Sequence, residues 1–136
     1  MEENKLFSVK VLGVVFDPKE KKILIGRREN DEHVPELTWS FPGGTLRKSE
    51  KIEEFLKEDV KKKTGLEIES LGPIFARILP ENEKFMMVYF LCENVGGTEE
   101  AGEKFVELKW VAPEELEKNF TTSFDPKLKE YIENLK

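Results

Sequence analysis

Six segments of the chain have apolar residues that alternate with polar ones or run together, and each segment predicts a β-strand. Turn-forming residues separate them, among them Gly72-Pro73 and a Gly- and Glu-rich stretch at 94–104. Residues 29–42 show no period and predict a long loop, and long ordered loops are often functional. The predicted strands span residues 6–16, 22–28, 66–70, 74–79, 85–93 and 105–111.

Helical periodicity appears at two places, and a short helical turn is predicted from Pro113. The first helix has Ser49 as a predicted N-cap and Gly65 where a C-cap glycine belongs. The second is capped by Asp125, with Pro126 at its first position. The side chains predicted to face the core are Ile52, Phe55, Leu56 and Val60 in the first helix, and Leu128, Tyr131, Ile132 and Leu135 in the second.

The order of these elements predicts the fold class. Several strands, a helix, several strands and a helix predict an α/β (α+β) protein, with a mixed sheet and helices packed on it. A chain of 136 residues fits one domain, so residues 1–136 are interpreted as a single domain.

Composition narrows the class of function. Charged residues make up 37% of the chain, with 18 Lys and 24 Glu against 4 Arg and 4 Asp, and no Gln. This is the composition reported for heat-adapted proteins, although an ordinary acidic surface is the alternative. The net charge of −6 provides no field that attracts nucleic acid, and the lysines at 57–63 are interleaved with acids on the same helix. Nucleic acid is therefore not an expected partner.

The sequence contains few signals for targeting or for redox chemistry. The N-terminus has neither the basic start nor the apolar stretch of a signal peptide, and the apolar runs are too short to span a membrane. A cytoplasmic protein without a membrane partner is expected. Cys92 is the only cysteine and lies in an apolar run, which favours a core position over a nucleophile.

The clearest motif is Phe41-Pro42-Gly43-Gly44, followed by the first helix and by Gly65-Leu66. This segment resembles the signature of the Nudix hydrolase family, G-x5-E-x7-R-E-U-x-E-E-x-G-U, where U is a bulky apolar residue. The resemblance covers nearly the whole chain. It implies the Nudix fold, a mixed sheet sandwiched between helices, and hydrolysis of a nucleoside diphosphate linked to another group. The matching positions are Gly44, Glu50, Val60, Gly65 and Leu66.

The charged positions of this signature differ. Glu58-Asp59 replace its Arg-Glu, and Lys62-Lys63 replace its paired glutamates. Mg²⁺ prefers several oxygen ligands, and a protonated lysine cannot supply one. A glutamate-type site for Mg²⁺ or Mn²⁺ is therefore not expected at these positions, and a reduced metal site would use Asp59 and Glu103.

The helical wheel places Asp59 and Lys63 within roughly 20° of the centre of the apolar stripe. Two charges pointing inward favour an ion pair at i, i+4, in which the ammonium takes over part of a cation's electrostatic role. The alternative is that both side chains flank the stripe and extend to solvent.

The resemblance implies further site residues. Glu103 lies in a loop before the late strand LKWV, where the family often has another glutamate, although a chance match is equally open. Because side chains alternate along a strand, only one of Arg27 and Arg28 can face the cleft. His33, Trp39 and Phe41 either contact a base or pack under the loop. The predicted catalytic acids are Asp59, Glu50 and Glu103, and the predicted phosphate- or nucleotide-binding residues are Arg27, Arg28, Phe41, Gly43, Gly44, Lys62 and Lys63.

Two functions remain open at this point. One is an enzyme that acts on a nucleoside diphosphate-linked substrate with a reduced or relocated metal site. The other is a catalytically inactive domain that binds a nucleotide or a partner protein. In either case the expected partner is a small-molecule nucleotide or nucleotide sugar, and the resemblance also allows a homodimer.

Overall fold

The computed structural model describes residues 6–47 and 51–135, which form seven β-strands, three α-helices and a short 3₁₀ turn at Pro113–Glu115. The strands are β1 (Ser8–Asp17), β2 (Lys22–Arg28), β3 (Trp39–Ser40), β4 (Gly43–Thr45), β5 (Leu66–Ile78), β6 (Phe85–Gly97) and β7 (Phe105–Val111). The helices are α1 (Ile52–Thr64), α2 (Leu116–Asn119) and α3 (Pro126–Glu133).

The sheet is mixed, as predicted, because β1 and β6 are parallel whereas the other strand pairs are antiparallel. Its strand order is β3-β2-β1-β6-β5, with β4 beside β1 and β7 beside β2. The central strand β1 changes partner along its length. Lys10 and Leu12 pair with β4, whereas Phe16 and Asp17 pair with β2. This exchange of partners leaves room for a cavity beside β4.

Side chains that alternate along β1 divide the core into two parts. Val11 and Val15 pack with the inner face of α1, whereas Leu12, Val14 and Phe16 pack with α2 and α3 on the other side of the sheet. Helices therefore cover both faces, and the predicted α+β class is confirmed. The helical side chains in these two clusters are Phe55, Leu56 and Val60 on one side and Leu116, Leu128 and Ile132 on the other.

The strand boundaries differ from the prediction in three places. Residues 66–70 and 74–79 were expected as two strands, but β5 is continuous, and its pairing with β6 shifts register around Pro73. A bulge absorbs Gly72-Pro73 without ending the strand. The strand β6 continues to Gly97, into the predicted loop. Neither β3 nor β4 is among the predicted strands, because both are too short to show a period; β3 lies in the predicted loop.

The helix ends agree with their predicted caps where the structure describes them. Gly65 ends α1 with a φ of 76° and donates its N–H to Lys61 O at 2.9 Å. Asp125 Oδ1 accepts the N–H of Lys127 at 2.8 Å at the start of α3. Ser49 lies outside the described residues, and Lys51 holds the N-cap position of α1. None of the helices in residues 6–47 and 51–135 has the length and hydrophobicity that a membrane crossing needs.

The predicted apolar stripes are wrong at two positions. Ile52 and Tyr131 are each 41% exposed, and they lie in the first turn of α1 and the last turn of α3. Cys92 is buried as predicted, and burial raises the pKa of its thiol to about 12. A thiol that stays protonated in this way is a core residue and not a nucleophile.

Candidate functional site

A cavity of about 370 Å³ opens where β4 pairs with β1. Its floor is one row of the sheet, formed by Thr45 on β4, Lys10 on β1, Met87 on β6 and Arg77 on β5. The volume lies in the range of small-molecule sites. Among the described residues that line it are six Lys or Arg and four Asp or Glu, although the whole chain has a net charge of −6. The cavity is therefore locally more basic than the rest of the protein.

The predicted ion pair lies in the wall of this cavity. Lys63 Nζ is 2.7 Å from Asp59 Oδ2, and it also donates a hydrogen bond to Gly43 O at 2.5 Å. Both charged residues are only 5% exposed. The structure confirms the pairing, and the alternative in which both side chains reach solvent is wrong. The ammonium and the carboxylate neutralise each other where the Nudix signature has glutamates.

The glycine pair allows this contact. Gly43 has a φ of 149°, and a Cβ added there would lie 2.0 Å from Val11 O. A Cβ on Gly44 would lie 2.7 Å from Asp59 Oδ2 and 3.2 Å from Lys63 Nζ. Only glycine allows the chain to pass this close to both β1 and the ion pair.

Gly44→Ala is therefore expected to destabilise the protein by about 1–3 kcal/mol, because the added methyl group displaces the buried carboxylate. Gly13→Ala is the matched control, since a Cβ at this buried glycine of β1 meets its nearest atom, Cys92 Sγ, at an ordinary 3.5 Å. Urea unfolding of both variants measures the difference. If Gly44→Ala and Gly13→Ala lowered the free energy of unfolding equally, the ion pair would not require a glycine at position 44.

The other two charged positions of the signature point away from the cavity. Glu58 and Lys62 are exposed on the outer side of α1, and neither lines the cavity. Each residue of a helix is rotated by about 100° from the one before, so Lys62 cannot face the same space as Lys63. The predicted phosphate-binding role of Lys62 therefore finds no support in this geometry.

The described residues do not fit the divalent cation of the Nudix signature. The carboxylate of Asp59 is bound by an ammonium, which repels a cation. No group of three or more His, Cys, Asp or Glu residues suited to a metal exists within 6–47 and 51–135. Glu50, the remaining predicted acid of the motif, lies outside the described residues. No step that depends on a metal ion is therefore assigned to this site.

Glu103 lines the cavity because its loop is fastened to the end of α1. Glu100 N–H donates to Thr64 O at 2.8 Å, and Gly102 N–H donates to Lys63 O at 2.9 Å. These bonds satisfy carbonyl groups that a helix end otherwise leaves without partners. The same loop brings Lys104 into the cavity, where its Nζ is 3.8 Å from Glu32 Oε1.

Of the two arginines that end β2, only Arg28 lines the cavity, as strand alternation predicts. It is 8% exposed, its Nη1 is 2.9 Å from Asp31 Oδ2, and its buried Nε has no hydrogen-bond partner among the described residues. Arg27 lies on the opposite face, where Glu29 and Glu107 bind it. Arg27 is therefore not brought to the site.

Asp31 holds this arginine in place, although the sequence did not single it out. Burial raises the pKa of the Asp31 carboxyl. Hydrogen bonds from the backbone N–H groups of Val34 and His33 lower this pKa, as do the charges of Lys10 and Arg28. The lowering effects are larger, so the pKa is below its ordinary value. Asp31 therefore stays ionised. It keeps Arg28 neutralised on one side of the cavity, as Asp59 does for Lys63.

Aromatic rings form the apolar side of the cavity. Phe41 is buried and packs against Tyr89 at 5.9 Å and Phe120 at 5.3 Å between ring centroids. His33 also lines the cavity and lies 5.0 Å from the ring of Phe85. Trp39 does not line it, and Lys109 Nζ lies 4.3 Å from its ring centroid. Phe41 and His33 are therefore the predicted aromatic residues that reach the cavity.

Two basic residues of the floor were missed by sequence reasoning. Lys10 and Arg77 are single cations within strands that are otherwise largely apolar, and this is the signal that could have identified them. Arg77 donates to Tyr89 Oη and to two oxygens of Ser123, which fixes the segment before α3. The guanidinium of Arg77 therefore makes hydrogen bonds within the protein.

The sheet order, the helices on both faces and the glycine pair beside α1 define an α+β fold with a cavity of about 370 Å³ beside β4. The family model described as the NUDIX domain matches residues 6–135, and the chain belongs to the Nudix family. Hydrolases of this family generally use divalent metal ions. Among curated proteins, no sequence matches this chain.

Solved structures share the fold at low sequence identity. A Nudix hydrolase from Nitrosomonas europaea aligns with a TM-score of 0.76 and 17% identity, covering 96% of this chain and 73% of that chain. An ADP-ribose pyrophosphatase from Streptococcus suis aligns with a TM-score of 0.64 and 20% identity, covering 79% of this chain and 75% of that chain. A UDP-X diphosphatase aligns at 0.65 and 15%, covering 83% of this chain and 54% of that chain.

Proposed function

We propose that this protein binds a nucleoside diphosphate-linked small molecule in the cavity, and that the metal-dependent hydrolysis typical of its family is weakened or lost. The observation that carries this proposal is the buried pair of Lys63 and Asp59, with 2.7 Å between Nζ and Oδ2. An ammonium occupies the place of a carboxylate ligand. The cavity has therefore lost acids that would bind a cation, while the excess of basic over acidic residues in its lining can attract phosphates.

The charge of the motif supports this proposal. The four positions at which the family has Arg, Glu, Glu and Glu have Glu58, Asp59, Lys62 and Lys63 here, so their summed charge changes from −2 to zero. Lysine and arginine bind phosphate groups directly, without a bridging metal ion. The basic lining of the cavity is suited to this direct mode of binding.

The class of ligand is supported by the structures that share the fold. The names of two of them specify ADP-ribose and UDP-X, in which a nucleoside diphosphate is linked to another group. The cavity has a basic side for a diphosphate and an aromatic side, with Phe41 and Tyr89, for a ring. We therefore propose a nucleotide sugar or a related compound as the ligand.

Thermal melting in EDTA tests this function. ADP-ribose and UDP-sugars are expected to stabilise the protein without added metal, by about 2.7 kcal/mol at a ligand concentration of 100 Kd. Release of nucleotide or phosphate in Mg²⁺ or Mn²⁺ is measured in parallel, at temperatures up to the onset of melting, and is expected to stay close to the blank. Stabilisation only in the presence of metal, or rapid turnover with Mg²⁺, would contradict the proposal. No stabilisation by any nucleotide would reject it.

One observation favours hydrolysis with a relocated acid as a second candidate. Glu103 lines the same cavity as Asp59, on a loop that is hydrogen-bonded to the end of α1. If turnover above the blank is found, Glu103→Gln should abolish most of it. Glu100→Gln, on the same loop but outside the cavity, is the control.

A further inference from the structure

We propose that Lys10 binds a phosphate group of the ligand, in a subsite on β1 that needs no metal ion. This inference rests on the proposed function and adds a specific residue and a specific chemistry to it. The subsite lies on a strand outside the helix that contains the family motif. The ligand group that it accepts is a phosphate or diphosphate oxyanion.

The position of Lys10 directs its side chain into the cavity. Ser8, Lys10 and Leu12 all line it, as alternation along β1 requires. Lys10 is paired with Thr45 on one side and with Met87 on the other, in the middle of the floor. A ligand that enters the cavity thus meets this ammonium on the floor, beside an apolar methionine.

Among the described residues, Lys10 is the floor cation that makes neither an ion pair nor a hydrogen bond, whereas Arg77 donates to Tyr89 and Ser123. Lys10 Nζ lies 5.2 Å from the ring centroid of Phe85, a contact that keeps the ammonium in place but uses none of its N–H donors. Within residues 6–47 and 51–135, no carboxylate lies within 4.0 Å of it and no acceptor bonds to it. Three of the other five cations that line the cavity have carboxylate partners: Arg28 with Asp31, Lys63 with Asp59, and Lys104 with Glu32. Of the remaining two, Arg77 makes the hydrogen bonds named above, and Arg47 lies over the ring of Phe55, 5.3 Å from its centroid.

The surroundings of Lys10 favour an anion. Burial lowers the pKa of its ammonium, and the positive charges of Arg28, Lys63 and Lys104 lower it further, whereas only Asp31 among these neighbours raises it. An oxyanion placed among these groups relieves their mutual repulsion. The buried Nε of Arg28, which has no partner in the described residues, provides a second donor on the same side.

Calorimetric titration with inorganic pyrophosphate in EDTA tests the subsite directly. Lys10→Met is expected to weaken pyrophosphate binding roughly 10- to 100-fold, because it removes a hydrogen bond to a charged group. Lys10→Arg should stay within about threefold of wild type, since guanidinium also binds phosphate. Lys22→Met, at an exposed lysine of β2, is the control and should bind as wild type does.

The stability of the unliganded variants separates binding from a structural role. Lys10→Met removes a charge that lacks a partner, so its melting temperature should equal or exceed that of wild type. A lower melting temperature would indicate that Lys10 holds the fold together instead. Unchanged pyrophosphate affinity in Lys10→Met, or no pyrophosphate binding by wild type, would overturn the inference.

A second titration with ADP-ribose separates this inference from the proposed function. Loss of both pyrophosphate and ADP-ribose affinity in Lys10→Met supports both. If ADP-ribose binds equally well to wild type and Lys10→Met, the proposed function stands and the Lys10 subsite is wrong. If pyrophosphate binding depends on Lys10 but no nucleotide binds more tightly than pyrophosphate, the subsite is right and the ligand is a simpler phosphate.

Discussion

Lys63→Met is expected to lower the free energy of unfolding by about 3–5 kcal/mol, the usual cost of breaking a buried ion pair. The substitution leaves the Asp59 carboxylate, which is 5% exposed, without its counter-charge. It also removes the donor to Gly43 O, so a buried carbonyl loses its hydrogen bond. Urea or thermal unfolding of the purified variant measures the loss.

Two further variants make this result specific. Asp59→Ala combined with Lys63→Met removes both charges, and should recover about 2 kcal/mol or more of the loss, because no lone charge then stays buried. Lys62→Met, at the exposed neighbouring position, should change stability by less than about 0.5 kcal/mol. If Lys63→Met were as harmless as Lys62→Met, the ion pair would make no contribution to the fold.

The fold could be predicted from the sequence largely because its signals are local. The alternation along β1, the glycine at the end of α1 and the aspartate before α3 each depend on a few neighbouring residues, and the structure confirms all three. The errors fall where tertiary contacts outweigh the local signal. Gly72-Pro73 interrupts the apolar pattern, yet pairing with β6 continues across a bulge and makes β5 one strand.

The candidate site could be predicted only where helix or strand geometry links the residues. The spacing of Asp59 and Lys63 fixes their relative position on α1, so their pairing follows from the sequence. The residues that were missed come from distant parts of the chain: Lys10, Arg77 and Asp31. The register of β1, β6 and β5 brings Lys10 and Arg77 to the cavity, and the turn after β2 brings Asp31 there. No local pattern contains that register, and these residues were missed.

Lys63→Glu should make the stability of the protein depend on divalent metal ions. The variant places a second carboxylate one helical turn from Asp59. This carboxylate lies near the carbonyl oxygen of Gly43, to which Lys63 donates a hydrogen bond in wild type. Carboxylate and carbonyl oxygens are the ligands that Mg²⁺ and Mn²⁺ prefer. Without metal, the two buried carboxylates repel each other, and the variant should melt below wild type.

Adding Mn²⁺ at about 100 Kd is then expected to restore about 2.7 kcal/mol to Lys63→Glu and to leave wild type unchanged. Lys62→Glu, which adds the same charge on the exposed side of α1, is the matched control and should show no response to metal. Melting curves with EDTA and with Mn²⁺ compare the three proteins. A metal response in Lys63→Glu alone would mean that the ammonium of Lys63 stands where a cation can bind. If the melting curves of Lys63→Glu were the same with and without Mn²⁺, replacing Lys63 alone would not be enough to create a metal site.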